Sequence, residues 1–317
     1  MFNELMVSVI IASYNFEKND WIHRCLNSLR NSTSDCNIIV VDNNSSDNTV
    51  MIIKEEYPEV VLIEQTENLG FARANNIGIK YAYNNGASFY FLLNQDAWVE
   101  KDTIEKLVSA LEDNPDYGII SPMHLNSEGS RIDEYFEKYL KNCVKDYKLI
   151  SSLYFNQTGL FETSFANAAT WLVSRKCIET VGGFDTSLFV HYGEDDNYCQ
   201  RVLFHKLKIG VYTGAAIFHD RNSNTRGGET SGIVAKKQET GVFIKYGNIN
   251  ARYKLINHPL IYGMLIGLRN IFEADHSDWN AYKYEYRIIK LYKNRIIKSR
   301  AINSTAGKGK VWFDREV

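Results

Sequence analysis

Residues 89–100 read FYFLLNQDAWVE: five apolar or aromatic residues run into Asn94, Gln95 and Asp96, and the chain then returns to Trp98 and Val99. A run such as Phe89–Leu93, with no polar alternation, predicts a strand buried on both faces. Two amides and a carboxylate at its end are either a polar turn or functional groups delivered to one edge of a sheet. The flanking sequence decides between the two.

Upstream, VSVIIA (7–12) predicts a strand, and 19–30 a helix with Trp21, Ile22, Cys25, Leu26 and Leu29 on one face. NIIVVD (37–42) is a strand, SDNTVMIIKEEY (46–57) a helix capped by Ser46 or Asp47, and VVLIE (60–64) a strand. GFARANNIGIKYAYNN (70–85) is a helix, and KDTIEKLVSALEDN (101–114) another that Pro115 stops. Strand–helix alternation with short connections predicts an α/β fold, a parallel sheet with helices on both faces. Such sheets bind ligands at the carboxyl ends of their strands, where Asp42 and Asn94-Gln95-Asp96 fall.

The second half is less regular. Residues 122–160 are charged and amphipathic and predict a loop plus a helix outside the sheet. SFANAATWLVSRKCIETVGGFD (164–185) predicts a strand, a helix and a Gly-Gly turn. GEDDNYCQRVLFHKL (193–207) is a helix opening on acids, and KIGVYTGAAIFHDR (208–221) a strand ending in His219. An acidic first turn also suits a helix macrodipole without any further role.

Composition narrows the classes. The 317 residues are 44% hydrophobic and 23% charged with a net charge of -2, a globular composition for which no nucleic-acid partner is expected. Five cysteines without a C-x-x-C pair point to free thiols in a reducing compartment and away from a zinc knuckle. No basic segment followed by an apolar run opens the chain, and no run reaches about 18 apolar residues. The expected location is therefore cytoplasmic. Neither G-x-G-x-x-G after the first strand nor G-x-x-x-x-G-K-[ST] occurs, which disfavours a dinucleotide site and excludes a P-loop.

Six blocks now stand in one order: VSVIIASYN (7–15), VVDNNSSDNT (40–49), NLGFARANNIGI (68–79), LLNQDAWV (92–99), VGGFDTSLFVHYGEDDNYCQR (181–201) and FHD (218–220). Together they resemble the inverting family-2 glycosyltransferases of the GT-A fold, particularly the rhamnosyltransferase-like subgroup, over roughly residues 6–222. The resemblance implies a GT-A (Rossmann-like) mostly parallel sheet with helices on both faces. It implies a domain over 1–249, with a nucleotide-sugar part at about 1–121 and an acceptor part at about 122–249. The activity implied is inverting transfer from a nucleoside diphosphate-sugar, first dTDP-rhamnose and otherwise a UDP-sugar, to a hydroxyl of a saccharide or lipid-linked saccharide. The setting implied is bacterial surface polysaccharide biosynthesis.

The same resemblance assigns residues. Ser13, Tyr14, Asn15, Asp42, Asn68, Gly70, Arg73, Asn94 and Gln95 would line the nucleotide-sugar site. Asp96 matches the metal-binding acid of the family's D-x-D signature, and His219 a second ligand, for Mg²⁺ or Mn²⁺. Asn94 stands where that signature has its first acid, which leaves metal dependence open. In the acidic block, Asp195 would be the general base, with Glu194 and Asp196 orienting the acceptor; Arg201 could pair with these acids or with the diphosphate. Trp171 and Tyr192 are candidate acceptor contacts, core packing being the other use for Trp171. Two alternatives remain: a catalytically inactive nucleotide-sugar-binding subunit, and a nucleotidyltransferase.

Residues 250–317 lie outside the resemblance and carry 13 Lys/Arg against 6 Asp/Glu, whereas residues 1–249 carry 23 against 32. On a helix, Tyr282, Tyr286, Ile289 and Tyr292 form one stripe. This basic, mainly helical extension could pack on its own domain, contact a membrane surface peripherally at the inner face of the plasma membrane, or form a homodimer interface.

Overall fold

The computed structural model describes residues 6–144, 146–189, 192–221, 231–252 and 277–314. Strands β1 (Val7–Ser13), β2 (Cys36–Asp42), β3 (Val61–Glu64) and β4 (Phe89–Leu93) are parallel and ordered β3-β2-β1-β4. Helices α1 (Trp21–Arg30), α2 (Thr49–Glu56), α3 (Phe71–Asn84) and α4 (Thr103–Glu112) connect and cover them.

Strand pleating explains the unbroken apolar runs. Val7, Val9 and Ile11 of β1, with Phe89, Phe91 and Leu93 of β4, face α1 and α4 through Ile22, Leu26, Ile104 and Leu107. Ile10, Tyr90 and Leu92 point the other way, onto Ala72, Ile79 and Ala82 of α3. Each fully buried Ile, Leu or Phe contributes about 1.5–3 kcal/mol, so both faces of the central strands stabilise the layer. Helix α3 sits close because Gly78 offers no side chain: a Cβ there would lie 2.4 Å from Ile10 Cγ2.

The sheet continues through β5 (Ala97–Val99), β6 (Tyr117–Asn126), β7 (Leu160–Thr163), β8 (Thr170–Ser174) and β9 (Lys208–His219), in the order β4-β8-β6-β9-β5 with β7 also on β9. Here β8 runs antiparallel to β4 and β6, and β5 and β7 antiparallel to β9. The expected α/β fold stands, with a parallel first half and a mixed second half. Strand β6 escaped the sequence reading because Pro122 interrupts its pattern; the β6–β9 register shifts between Pro122 and Met123. Strands β5 and β7, three and four residues long, are too short for periodicity to reveal.

Helices α5 (Glu134–Cys143), α6 (Lys148–Tyr154), α7 (Arg175–Val181) and α8 (Glu194–Phe204) belong to this second half. Asp133 caps α5, accepting from the Phe136 N–H at 2.9 Å. Helices α9 (Ser231–Gly247), α10 (Ser277–Asn303) and α11 (Val311–Asp314) follow.

The stripe of α10 packs on its own chain. Tyr282, Tyr286, Ile289 and Tyr292 join Leu188, Phe189, Val242, Phe243 and Tyr246 in one apolar cluster. Polar bonds fix the docking: buried Asp185 accepts from Ser299 Oγ at 2.5 Å and Asn303 Nδ2 at 2.9 Å. Arg300 donates to the carbonyls of Tyr246, Asn248 and Ala251, so part of the tail's positive charge is spent internally. The apolar run 259–272 lies outside the described residues. No helix among the described residues is long and apolar enough to cross a membrane.

Two sequence expectations are corrected here. Trp171 on β8 is fully buried, stacked on Phe184 at 6.0 Å and tilted against Tyr198 at 5.6 Å, and offers no face to an acceptor. Arg201 bonds neither acids nor the exterior; it is buried and donates to the carbonyls of Gly183 (2.7 Å) and Val181. Its position on α8, facing the Gly182-Gly183 turn, made it a structural pin.

Candidate active site

The carboxyl ends of β1, β2 and β4 lie side by side because the three strands pair in parallel register, Ser13 opposite Asp42. Asp42 is 1% exposed, and its carboxylate accepts from Ser13 Oγ (3.2 Å), Ser45 N–H (2.9 Å) and Ser45 Oγ (2.5 Å). Its own oxygens are thus engaged in shaping the loop after β2. Asn15, at a left-handed φ of 51°, accepts from the Ser46 N–H at 2.9 Å through its side chain. Tyr14 is exposed, and its backbone is clamped by Gln95: the Tyr14 N–H donates to Gln95 Oε1 at 2.7 Å, and Gln95 Nε2 donates to the Tyr14 carbonyl at 3.1 Å. Gln95 therefore locks the β1 loop to the β4 end.

Beyond β3, Asn68 accepts from the Gly70 N–H at 3.0 Å, and Gly70 opens α3 at φ 80°, ψ 173°, a conformation only glycine adopts freely. Arg73, one turn into α3, is half-buried and has no ion pair among the described residues. Asn94 bonds through its backbone to Ala169 and Ala97, and its side chain is unpartnered among the described residues.

Asp96 leads into β5, which pairs with β9 so that Ala97 faces His219. This brings Asp96 Oδ1 to 3.2 Å from His219 Nε2. Trp21 Nε1 donates to Asp220 at 2.9 Å and ties the same corner to α1. On its far side, His219 Nδ1 accepts from Arg221 Nε at 3.2 Å. An arginine Nε always carries its proton, so the neutral His219 proton sits on Nε2, facing Asp96. Behind it, buried His124 stacks on Phe136 at 4.1 Å, and desolvation holds its pKa well down and the ring neutral.

Arg221 links this corner to the acids. It lies 3.6 Å from Asp133, hydrogen-bonds with Tyr139 and interacts electrostatically with Asp195. Gly193, at φ 82°, turns the chain into α8, whose first three residues are Glu194, Asp195 and Asp196. Burial raises the Asp195 pKa, opposed by the N–H groups of Asp196 (2.9 Å) and Ala168 and by Arg221. Burial, then the charge of Asp195, pushes both Glu194 and Asp196 to about 7. Glu194 Oε2 is buried without a hydrogen-bond partner among the described residues. Tyr192 is exposed beside this turn at φ 69°.

A stability prediction follows from Glu194. Its pKa is raised in the folded chain, so between about 4.5 and 7 the native state holds a proton that the unfolded chain has released. Stability contributed by this group is present at low pH and is lost as pH rises through about 7. Glu194→Gln is therefore expected to stabilise the protein by ~2 kcal/mol more at pH 8 than at pH 5. Urea denaturation at both pH values checks this, and equal differences would remove the buried charge as the cause.

Sequence reasoning missed Arg221, Tyr139, Asp133 and Ser45. Arg221 had one signal, following His219 by two residues in FHDR; the others lie on segments whose placement is tertiary. Contacts join Asp42 to Ser13, the loop after Ser13 to Gln95, Asp96 to His219, and His219 to Arg221, whose charge acts on Asp195. Ser13, Asp42, Gln95, Asp96 and His219 thus stand at the ends of β1, β2, β4 and β9.

A family model described as glycosyl transferase family 2 matches residues 8–182. The chain belongs to that family. The dTDP-rhamnosyl transferase RfbF of Shigella flexneri is 26% identical over 215 residues, 67% of this chain and 68% of that protein. The low-salt glycan biosynthesis hexosyltransferase Agl10 of Haloferax volcanii is 25% identical over 205 residues, 64% of each chain. The crystal structure of S. aureus TarS 1-349 matches with a TM-score of 0.56 at 16% identity, covering 97% of this chain and 89% of that one. A longer TarS chain, of which this chain covers 55%, matches with a TM-score of 0.57. This likeness identifies the fold as GT-A.

No group of three or more His, Cys, Asp or Glu side chains suited to a metal occurs among the described residues. Asp96 with His219 supplies two donors, which fits a hard divalent ion that takes its remaining oxygens from diphosphate and water. His219 fits only when its proton moves to Nδ1 and Arg221 turns away.

Proposed function

We propose that this family-2 glycosyltransferase moves a sugar from a nucleoside diphosphate donor to a hydroxyl of a saccharide or lipid-linked saccharide, inverting the anomeric centre. The observation that carries the reading is the contact of Asp96 with His219 and of His219 with Arg221, whose charge acts on buried Asp195 of α8. The donor is dTDP-rhamnose, supported by the similarity to the dTDP-rhamnosyl transferase of Shigella; a UDP-sugar is second, since a TarS structure holds UDP-GlcNAc. Assembly of a surface polysaccharide is the fitting setting, with Agl10 named for glycan biosynthesis.

Asp195 is the base. It takes the proton of the acceptor hydroxyl as that oxygen attacks the anomeric carbon, and the bond to the donor phosphate breaks on the opposite face. Glu194 and Asp196, titrating near 7, can both accept and donate hydrogen bonds and so orient the acceptor. Arg73, unpaired among the described residues, would donate to the diphosphate, and Asn94 would line the same site. Asp42 acts through Ser13 and Ser45, setting the loop on which the nucleoside rests with Tyr14, Asn15, Asn68, Gly70 and Gln95. Asp96, with His219 next to it, would hold a divalent ion, which when bound neutralises charge growing on the departing nucleoside diphosphate. Tyr192, exposed at the turn before the acids, would meet the acceptor.

Incubation with a panel of dTDP- and UDP-sugars plus Mn²⁺, without acceptor, tests the reading through release of nucleoside diphosphate. Release is expected, highest with dTDP-rhamnose. No release from any donor would favour an inactive binding subunit.

A further inference from the structure

We propose that the outward face of α6 docks the protein on an anionic phospholipid membrane. Five of the large apolar side chains that are exposed among the described residues fall in nine consecutive positions: Tyr147 (79% exposed), Ile150 (74%), Leu153, Tyr154 (80%) and Phe155 (65%). Tyr147, Ile150 and Tyr154 stand at i, i+3 and i+7 and share one side of the helix. The opposite side is anchored, with Leu149 buried against Phe136, Leu140 and Phe161. An amphipathic helix is thus fixed by one apolar residue while its larger apolar face points to solvent.

The occupant follows from size, chemistry and charge. Seven residues span about 10 Å, too little for the ~800 Å² per partner of a stable protein interface. A lipid surface accepts side chains singly, and tyrosine, with an apolar ring and a polar tip, suits the headgroup boundary. Lys138 and Lys141 are paired with Glu134 and Glu137, so the positive charge left beside the face among the described residues is that of Lys148. Lys148 has no ion pair among the described residues. That local positive sign complements lipid phosphate. The other amphipathic candidate, α10, has already spent its stripe on α9.

The face also lies next to the acceptor half. A cavity of about 500 Å³, lined by Cys143, Asp146, Glu162, Thr163, Ser164 and Leu203, opens between the end of α5, β7 and α8, and Asp146 leads into α6. The Cys143 thiol there feels the charge of Asp196. Docking through α6 would bring an acceptor on a lipid carrier towards the acids; this purpose, not the docking itself, rests on the proposed transfer.

Co-sedimentation of the full chain with vesicles of phosphatidylcholine and phosphatidylglycerol tests the surface. Combined Tyr147→Ser, Ile150→Ser, Tyr154→Ser and Phe155→Ser should lower vesicle partitioning by about tenfold or more, with donor hydrolysis unchanged. Lys148→Glu should lower it by about fivefold, and Lys290→Glu with Lys293→Glu on α10 should leave it unchanged. Equal partitioning of the fourfold variant and wild type overturns the proposal, as does a wild type that sediments no more with vesicles than alone. A wild-type dimer that the variant converts to monomer would assign the face to a second copy instead. Donor hydrolysis, read separately, reports on the transfer reading independently of membrane binding.

Discussion

Replacing Asp195 with asparagine is expected to lower sugar transfer by about 10²–10⁴-fold while nucleotide binding, read by calorimetry, stays at the wild-type level. The amide keeps the size of the side chain and can still accept from the Asp196 N–H, so α8 should start where it does now. What it loses is the ability to take a proton. Because burial raises the pKa of Asp195, the wild-type rate should fall with decreasing pH at values above the ordinary carboxylate range, since the base must be ionised to act. The variant supplies a second readout. Without the Asp195 charge, Glu194 and Asp196 should titrate lower than about 7, observable by carboxylate NMR. Transfer at the wild-type rate would remove Asp195 from the role of base.

Asp96→Ala should cost about 2.7–4 kcal/mol of charge stabilisation, a loss of roughly 10²–10³ in transfer rate. Its decisive readout is binding: affinity for nucleoside diphosphate measured with Mn²⁺ should drop to the value measured without metal. Unchanged affinity for the metal–nucleotide complex would take Asp96 out of any metal site. Arg221→Met offers a useful contrast. It frees His219 Nδ1, so if His219 joins Asp96 as a ligand, Mn²⁺ binding should be retained or strengthened rather than lost.

These expectations also mark how much of the site was legible beforehand. Asp96 and His219 could be named because the family resemblance assigns them and each stands at the end of a clear strand pattern. That they touch could not be read, since β5 is three residues long and its partner β9 lies more than a hundred positions further on. The acids of α8 were readable as a helix opening, yet Glu194 being buried without a partner among the described residues depends on what packs over it. Arg201 shows the reverse error: a charged residue on the right helix invited a functional role, but it donates to the Val181 and Gly183 carbonyls.

By itself the sequence determined the parallel β1–β4 layer, its flanking helices and the edge at which polar residues gather. Apolar periodicity is a local property, and burial on two faces leaves a continuous run that any reader can see. Only the tertiary structure decided the mixed second half, the loss of Trp171 to the core, the docking of α10 on Asp185 and the contacts of Arg221 with His219 and Asp133. Each of these depends on side chains far apart in the chain satisfying one another's hydrogen bonds or volume, and no local pattern encodes such a pairing.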